Sequence, residues 1–99
     1  MDITTTMDGS TCTLAVSGRL DTLTAPELQT PLFDSVGKNK VTILDCANLE
    51  YVSSAGLRVL LMAEKSAKAG KTKLIIQNIS AEIREIFDMT GFSDILTIE

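Results

Sequence analysis

The sequence predicts an α/β fold of ββαβαβαβ order, built as one domain over residues 1–99. Three observations carry that expectation. Residues 3–17 alternate apolar and polar side chains on either side of an Asp8-Gly9 turn signal. Two short, nearly continuous apolar runs, at 41–46 and 73–77, have the length and composition of strands. A segment of helical period follows the alternating region and each of these runs, and each such segment closes on a glycine: Gly37, Gly70 and Gly91. Strands alternating with helices build right-handed crossovers, hence a mixed, mostly parallel sheet with helices packed against it.

Ile3, Thr5 and Met7 alternate with Thr4 and Thr6, and Cys12, Leu14 and Val16 with Thr11, Thr13 and Ala15. The two runs are expected to pair as a hairpin with one face buried, ended by Gly18. Arg19 to Leu23 reads as a connector. Thr24-Ala25-Pro26-Glu27 has the spacing of a capping box, with proline tolerated in the first turn. Leu28, Leu32, Phe33 and Val36 then keep a helical period up to Gly37, and Pro31 inside it predicts a kink or a shortened helix. The run 41–46 reads as a central strand covered on both faces. Ser53 to Gly56 reads as a small polar turn opening onto a helix over 55–69, stopped by Gly70. After a second buried strand at 73–77, Ser80 can cap a third helix with Ile83, Ile86 and Phe87 on one face. Residues 94–98 are apolar enough for a final edge strand.

Several function classes are disfavoured. The chain has no histidine, which removes His-based triads, His metal sites and the usual base near neutral pH. No nucleophile–base pair or ligand cluster can be assembled, so catalysis, a cofactor and a metal are not expected. Net charge is −4, and Lys65, Lys68, Lys71 and Lys73 gather at one helix end, where cations complement the dipole; nucleic acid is not an expected partner. The N-terminus lacks a basic region with an apolar run, and no stretch reaches transmembrane length, so a cytoplasmic protein without membrane insertion is expected. Cys12 and Cys46 read as small buried thiols of a reducing compartment.

On the central helix, Ala55, Gly56, Val59, Leu60, Ala63 and Ala67 share one face of small residues, suited to lie close against the sheet. Arg58 and Lys65 fall on the opposite, wet side. Leu57 and Leu61 lie off the stripe, either packed on a neighbouring helix or forming an apolar ridge for a partner. One of Ser53 and Ser54 is expected to cap the helix, and a phosphate on a serine here would sit well at the positive end of the dipole. Arg58, four residues after Ser54, is either solvated or placed to pair with a phosphate or an acidic partner group.

Three segments resemble the STAS domains of bacterial anti-sigma factor antagonists (anti-anti-sigma factors), and the resemblance covers essentially the whole chain. Gly18-Arg19-Leu20-Asp21 is similar to the family's Gly-x-Leu-Asp after the second strand. Tyr51-Val52-Ser53-Ser54-Ala55-Gly56-Leu57 is similar to its Asp-Ser-(Ser/Ala)-Gly-Leu phosphorylation loop, and Phe87-Asp88-Met89-Thr90-Gly91-Phe92 to the ending of its third helix. The resemblance implies a single STAS-like domain that binds an anti-sigma factor of the serine-kinase type and frees a sigma factor. It implies phosphorylation of Ser54 as the off switch, reversed by a phosphatase. Asp21 and the turn Ser53, Ser54, Ala55, Gly56 and Leu57 are implied in docking, with Arg58 adding a charge to the same rim. Ser53 stands where the family often has aspartate, a departure that bears on phosphorylation efficiency. The alternative is a STAS subunit of another assembly, such as a lipid-transport complex or a stress-signalling scaffold, docking without a phosphorylation cycle. A nucleotide or anion seated on the helix N-terminus is a third class, with no Walker-type loop to support it.

Overall fold

Three successive crossovers, each stepping to the next strand, decide the shape of the molecule. The structure is a computed structural model describing residues 1–99. In chain order it forms β1 (Asp2–Asp8), β2 (Thr11–Leu20), α1 (Ala25–Lys38), β3 (Val41–Val52), α2 (Ser54–Gly70), β4 (Lys73–Gln77), α3 (Ala81–Thr90), a 3-10 turn (Phe92–Asp94) and β5 (Thr97–Ile98). The sheet order is β1-β2-β3-β4-β5, with β1 antiparallel to β2 and every later neighbour parallel. The expected element order and mixed, mostly parallel sheet are those observed.

Right-handed crossovers that all step in one direction place their helices on one side of the sheet. The burial pattern follows. Cys12, Leu14 and Val16 of β2, Thr42, Leu44 and Cys46 of β3, and Leu74 and Ile76 of β4 are buried, while the residues between them are only partly buried. This corrects the expectation that β3 is covered on both faces. Its apolar run arises because Ile43 lies between Thr13 and Ile75 in the register, and these neighbours shield it without a second helical layer. The 22 buried apolar residues form one cluster between sheet and helices. Ser35 Oγ and Thr42 Oγ1 pair at 2.7 Å inside it, so the two buried hydroxyls satisfy each other between α1 and β3. Cys12 and Cys46 are free and buried, and burial, with Asp45 nearby, pushes the Cys46 thiol up to about 12.

Several boundaries differ from expectation for identifiable reasons. Gly18 does not end β2; its φ of 93° accompanies shifts in register on either side, and the strand continues to deliver Leu20 into the core. β1 is exposed apart from a half-buried Ile3, because it lies at the sheet edge, so burial in the hairpin falls to β2. Pro31 neither ends nor shortens α1, which runs 14 residues through Gly37 to Lys38. β3 continues to Val52, and the expected turn at Ser53 to Gly56 is the cap and first turn of α2. At the other end of α2, Lys71 rather than Gly70 takes the left-handed position, φ 60°, returning its N–H to the Ala67 and Lys68 carbonyls. Ser80 caps α3 by accepting from the Ile83 N–H, and Gly91 ends it with φ 80°, as expected. The last strand shrinks to two residues because the 3-10 turn takes Asp94 and the N–H groups of Ile95 and Leu96 turn back to the Phe92 carbonyl.

One core position conflicts with the apolar pattern. Glu64 on α2 is 5% exposed, and its Oε2 has no hydrogen-bond partner. Burial raises its carboxyl above the usual range, with Lys68 opposing. The folded protein therefore holds this proton more tightly than the unfolded chain does. Its stabilising share is complete below the ordinary glutamate range and is lost as pH rises through the raised value. Glu64→Gln is expected to gain about 1 kcal/mol over the parent at pH 8 and to lose that advantage near pH 4. Thermal denaturation of both proteins across that range checks it; parallel melting temperatures would contradict the assignment.

Candidate docking site at the start of α2

The site begins with a close approach. A Cβ added to Gly56 would come within 2.6 Å of Leu20 Cγ and 3.0 Å of the Leu20 carbonyl oxygen. Only glycine lets the first turn of α2 settle onto the end of β2. The Ser53 N–H donates to the same Leu20 carbonyl at 2.8 Å, fixing the strand-to-helix junction. Ser53 is then the cap: its backbone is extended, and its Oγ accepts from the Gly56 N–H at 3.4 Å. Ser54 is the first helical residue. Its exposed hydroxyl takes no part in the cap.

The connector after β2 is organised by Asp21. Its Oδ1 accepts from the backbone N–H groups of Leu23 and Thr24 at 3.0 and 3.1 Å, with the Thr24 hydroxyl at 3.2 Å. The Thr24 N–H holds the Asp21 carboxyl below the usual range, against a smaller opposing effect of burial; Leu23, the Thr24 hydroxyl and Arg19 add to the lowering. Thr24 precedes α1 as expected but makes no side-chain cap; its hydroxyl turns back and donates to the Arg19 carbonyl at 2.6 Å. The capping-box reading fails here because Asp21 offers that hydroxyl a nearer network. Arg19 Nε lies 3.8 Å from Asp21 Oδ2, and its guanidinium stacks 4.3 Å from the centre of the Tyr51 ring.

Between the starts of α1 and α2 runs a groove of about 330 Å³, with Thr22, Pro26 and Gln29 on one wall and Ser54, Arg58 and Met62 on the other. Apolar side chains stand exposed nearby: Leu23 at 84%, Met62 at 43% and Tyr51 at 38%. Of the residues singled out from sequence, Ser54, Ala55 and Arg58 line the groove together. Asp21 holds the turn that carries Thr22 and Leu23, Ser53 caps, and Gly56 and Leu57 are buried beneath. Leu57 packs inside and Leu61 is half-buried, so the apolar ridge considered on this helix is represented at the surface by Met62 instead. The sequence assigned no role of their own to Arg19, Leu23, Tyr51 or Met62, although Arg19 and Tyr51 stand inside two of the family-like segments. A large apolar residue between turn-formers could have signalled Leu23. Nothing local pairs Arg19 with Tyr51, which are joined by strand register alone.

Gly56→Ala gains helix propensity but drives a methyl against Leu20, whose carbonyl oxygen cannot swing aside. Overpacking of about 1–3 kcal/mol outweighs the propensity gain of about 1 kcal/mol. A lower denaturant midpoint is expected; a rise would show that the contact is not restrictive.

The STAS domain family model matches residues 2–99. Similar sequences include BtrV of Bordetella bronchiseptica, 31% identical over 84 residues, covering 84% of this chain and 72% of the relative. The anti-sigma-B factor antagonist of Listeria monocytogenes is 32% identical over 85 residues, covering 85% and 75%. The structure of the anti-sigma factor antagonist SpoIIAA in its unphosphorylated form superposes with a TM-score of 0.82 over 99% of this chain and 88% of that one, a likeness of fold at 18% identity. With the family pattern running through both the sheet and the groove-forming junctions, the chain belongs to the STAS domain family of bacterial anti-sigma factor antagonists.

Proposed function

We propose that this chain docks an anti-sigma factor of the serine-kinase type at the rim formed by Leu23, Ser54, Arg58 and Met62, and thereby frees a sigma factor. Phosphorylation of Ser54 switches docking off, and a phosphatase restores it. The observation that carries the reading is the division of labour between the two serines: Ser53 is occupied as the cap, while Ser54 presents an unengaged hydroxyl at the groove. A phosphate there adds a charge of about −1.5 to −2 to the docking rim without removing any hydrogen bond of the fold. Ser53 supplies the cap but not the carboxylate that the family often places there, so the kinase meets a hydroxyl in its stead. Relatives of this chain in Listeria monocytogenes and other bacteria are named anti-sigma-B factor antagonists, and a SpoIIAA structure of the same fold is described in a phosphorylated form. The chain itself acts as a binding module rather than a catalyst.

The test is incubation with a serine-kinase-type anti-sigma factor and ATP, followed by mapping of the phosphate by mass spectrometry. Modification is expected at Ser54 and is abolished by Ser54→Ala. Ser53→Ala is expected to remain modifiable while losing about 1 kcal/mol of stability with its cap. Ser54→Asp should weaken binding by about tenfold or more at unchanged melting temperature, and Leu23→Ala by about tenfold. An unmodified Ser54 together with full binding by Ser54→Asp would favour the other reading, a STAS subunit docking constitutively in a different assembly.

A further inference from the structure

The groove contains a cation that nothing in the fold uses. Of the three arginines, Arg19 pairs with Asp21 and Arg84 with Asp88, whereas Arg58 has no carboxylate within ion-pair distance. It is exposed, and it is the one charged side chain among those lining the groove. In a chain of net charge −4, this is a local inversion of sign. Ser54 and Arg58 are four apart on α2, so they lie one above the other on the same face, with Cβ atoms about 5–6 Å apart. A guanidinium at that separation reaches a phosphate on the serine and can donate two N–H groups to it.

We propose that Arg58 is the counter-ion of a phosphate on Ser54, so that modification places a dianion in the groove and also withdraws the groove's one cation from a docked partner. The proposal rests on Ser54 as the phosphoacceptor. It adds a second component to the switch. Repulsion by the phosphate alone would leave the guanidinium free for an acidic group of the partner. Pairing removes that attraction at the same moment. It also holds the phosphate against the groove wall rather than out in solvent. Thr22 and Gln29, the polar groups facing Arg58 from the connector and α1, are uncharged and offer it no competing ion pair.

The test needs no kinase. Phosphoserine is installed at position 54 during translation, and the phosphate is titrated by phosphorus NMR in the parent, Arg58→Gln and Arg58→Lys proteins. A neighbouring cation favours the dianion, so the second ionisation is expected at lower pH in the parent than in Arg58→Gln, by about 0.3. Arg58→Lys should fall between them, since it keeps the charge but loses the fork. The difference should collapse in about 1 M NaCl, where exposed pairs are screened. Coincident curves for the parent and Arg58→Gln at low salt would overturn the proposal. The result is separable from the fate of the switch itself. A kinase that ignores Ser54 defeats the switch and leaves the pairing intact, whereas coincident curves defeat the pairing and leave the switch intact.

Discussion

The contact between Gly56 and Leu20 is the constraint from which the rest of the site follows. Because Gly56 has no Cβ, the first turn of α2 descends onto the end of β2, and the Leu20 carbonyl is left to the Ser53 N–H. Ser53 then serves as both the last extended residue and the helix cap. Once Ser53 is committed, Ser54 begins the helix and its side chain points away from the junction. Gly18 is the earlier half of the same arrangement. Its positive φ lets β2 shift register and carry Leu20 to full burial instead of stopping short. Two glycines, 38 positions apart in the chain (18 and 56), therefore act on one leucine.

The one-sided sheet decides where the site lies. Parallel β2 and β3 end at the same edge, so the connectors leaving them meet there, and the starts of α1 and α2 flank a common groove. Open α/β sheets place binding at the carboxyl ends of their strands for this reason. Loops from distant parts of the sequence supply the side chains while the rigid strands fix their separation. Asp21 and Thr24 stiffen one wall, and the Ser53 cap stiffens the other. The proposed docking surface thus has a backbone that is already ordered, which would reduce the conformational entropy lost on binding a partner there.

How much of this was legible in the chain depended on whether the determining interaction was local. Ser80 and Gly91 were readable because a cap and a left-handed stop each depend on a few neighbouring residues. The serine pair before Gly56 was readable as a helix start, though not which serine would cap, since that depends on Leu20 more than thirty residues earlier. Thr24 was misread because its hydroxyl had two local options, the helix N–H groups and the connector, and Asp21 tipped the choice. Pro31 does not shorten α1 because a missing hydrogen bond is tolerated where tertiary packing holds the helix, and Leu28 and Leu32 on either side are fully buried. The apolar run of β3 suggested two covered faces because cross-strand shielding by Thr13 and Ile75 mimics a helical layer at the level of composition.

Asp21 shows how structure refines a motif known from resemblance. Its position in Gly-x-Leu-Asp suggested a docking residue, yet its carboxylate already accepts from two backbone N–H groups and lies close to Arg19. Those contacts are why its carboxyl is held low, and a partner's donor would have to displace one of them. Because the folded carboxyl is held below its unfolded value, the turn is stabilised above the ordinary aspartate range and loses that support as pH falls through the folded value. The carboxylate's main work is thus internal: it bends the connector so that Leu23 stands out into solvent beside the groove. On this view the aspartate shapes the proposed docking rim through the backbone, and the side chain it presents is the leucine two residues on.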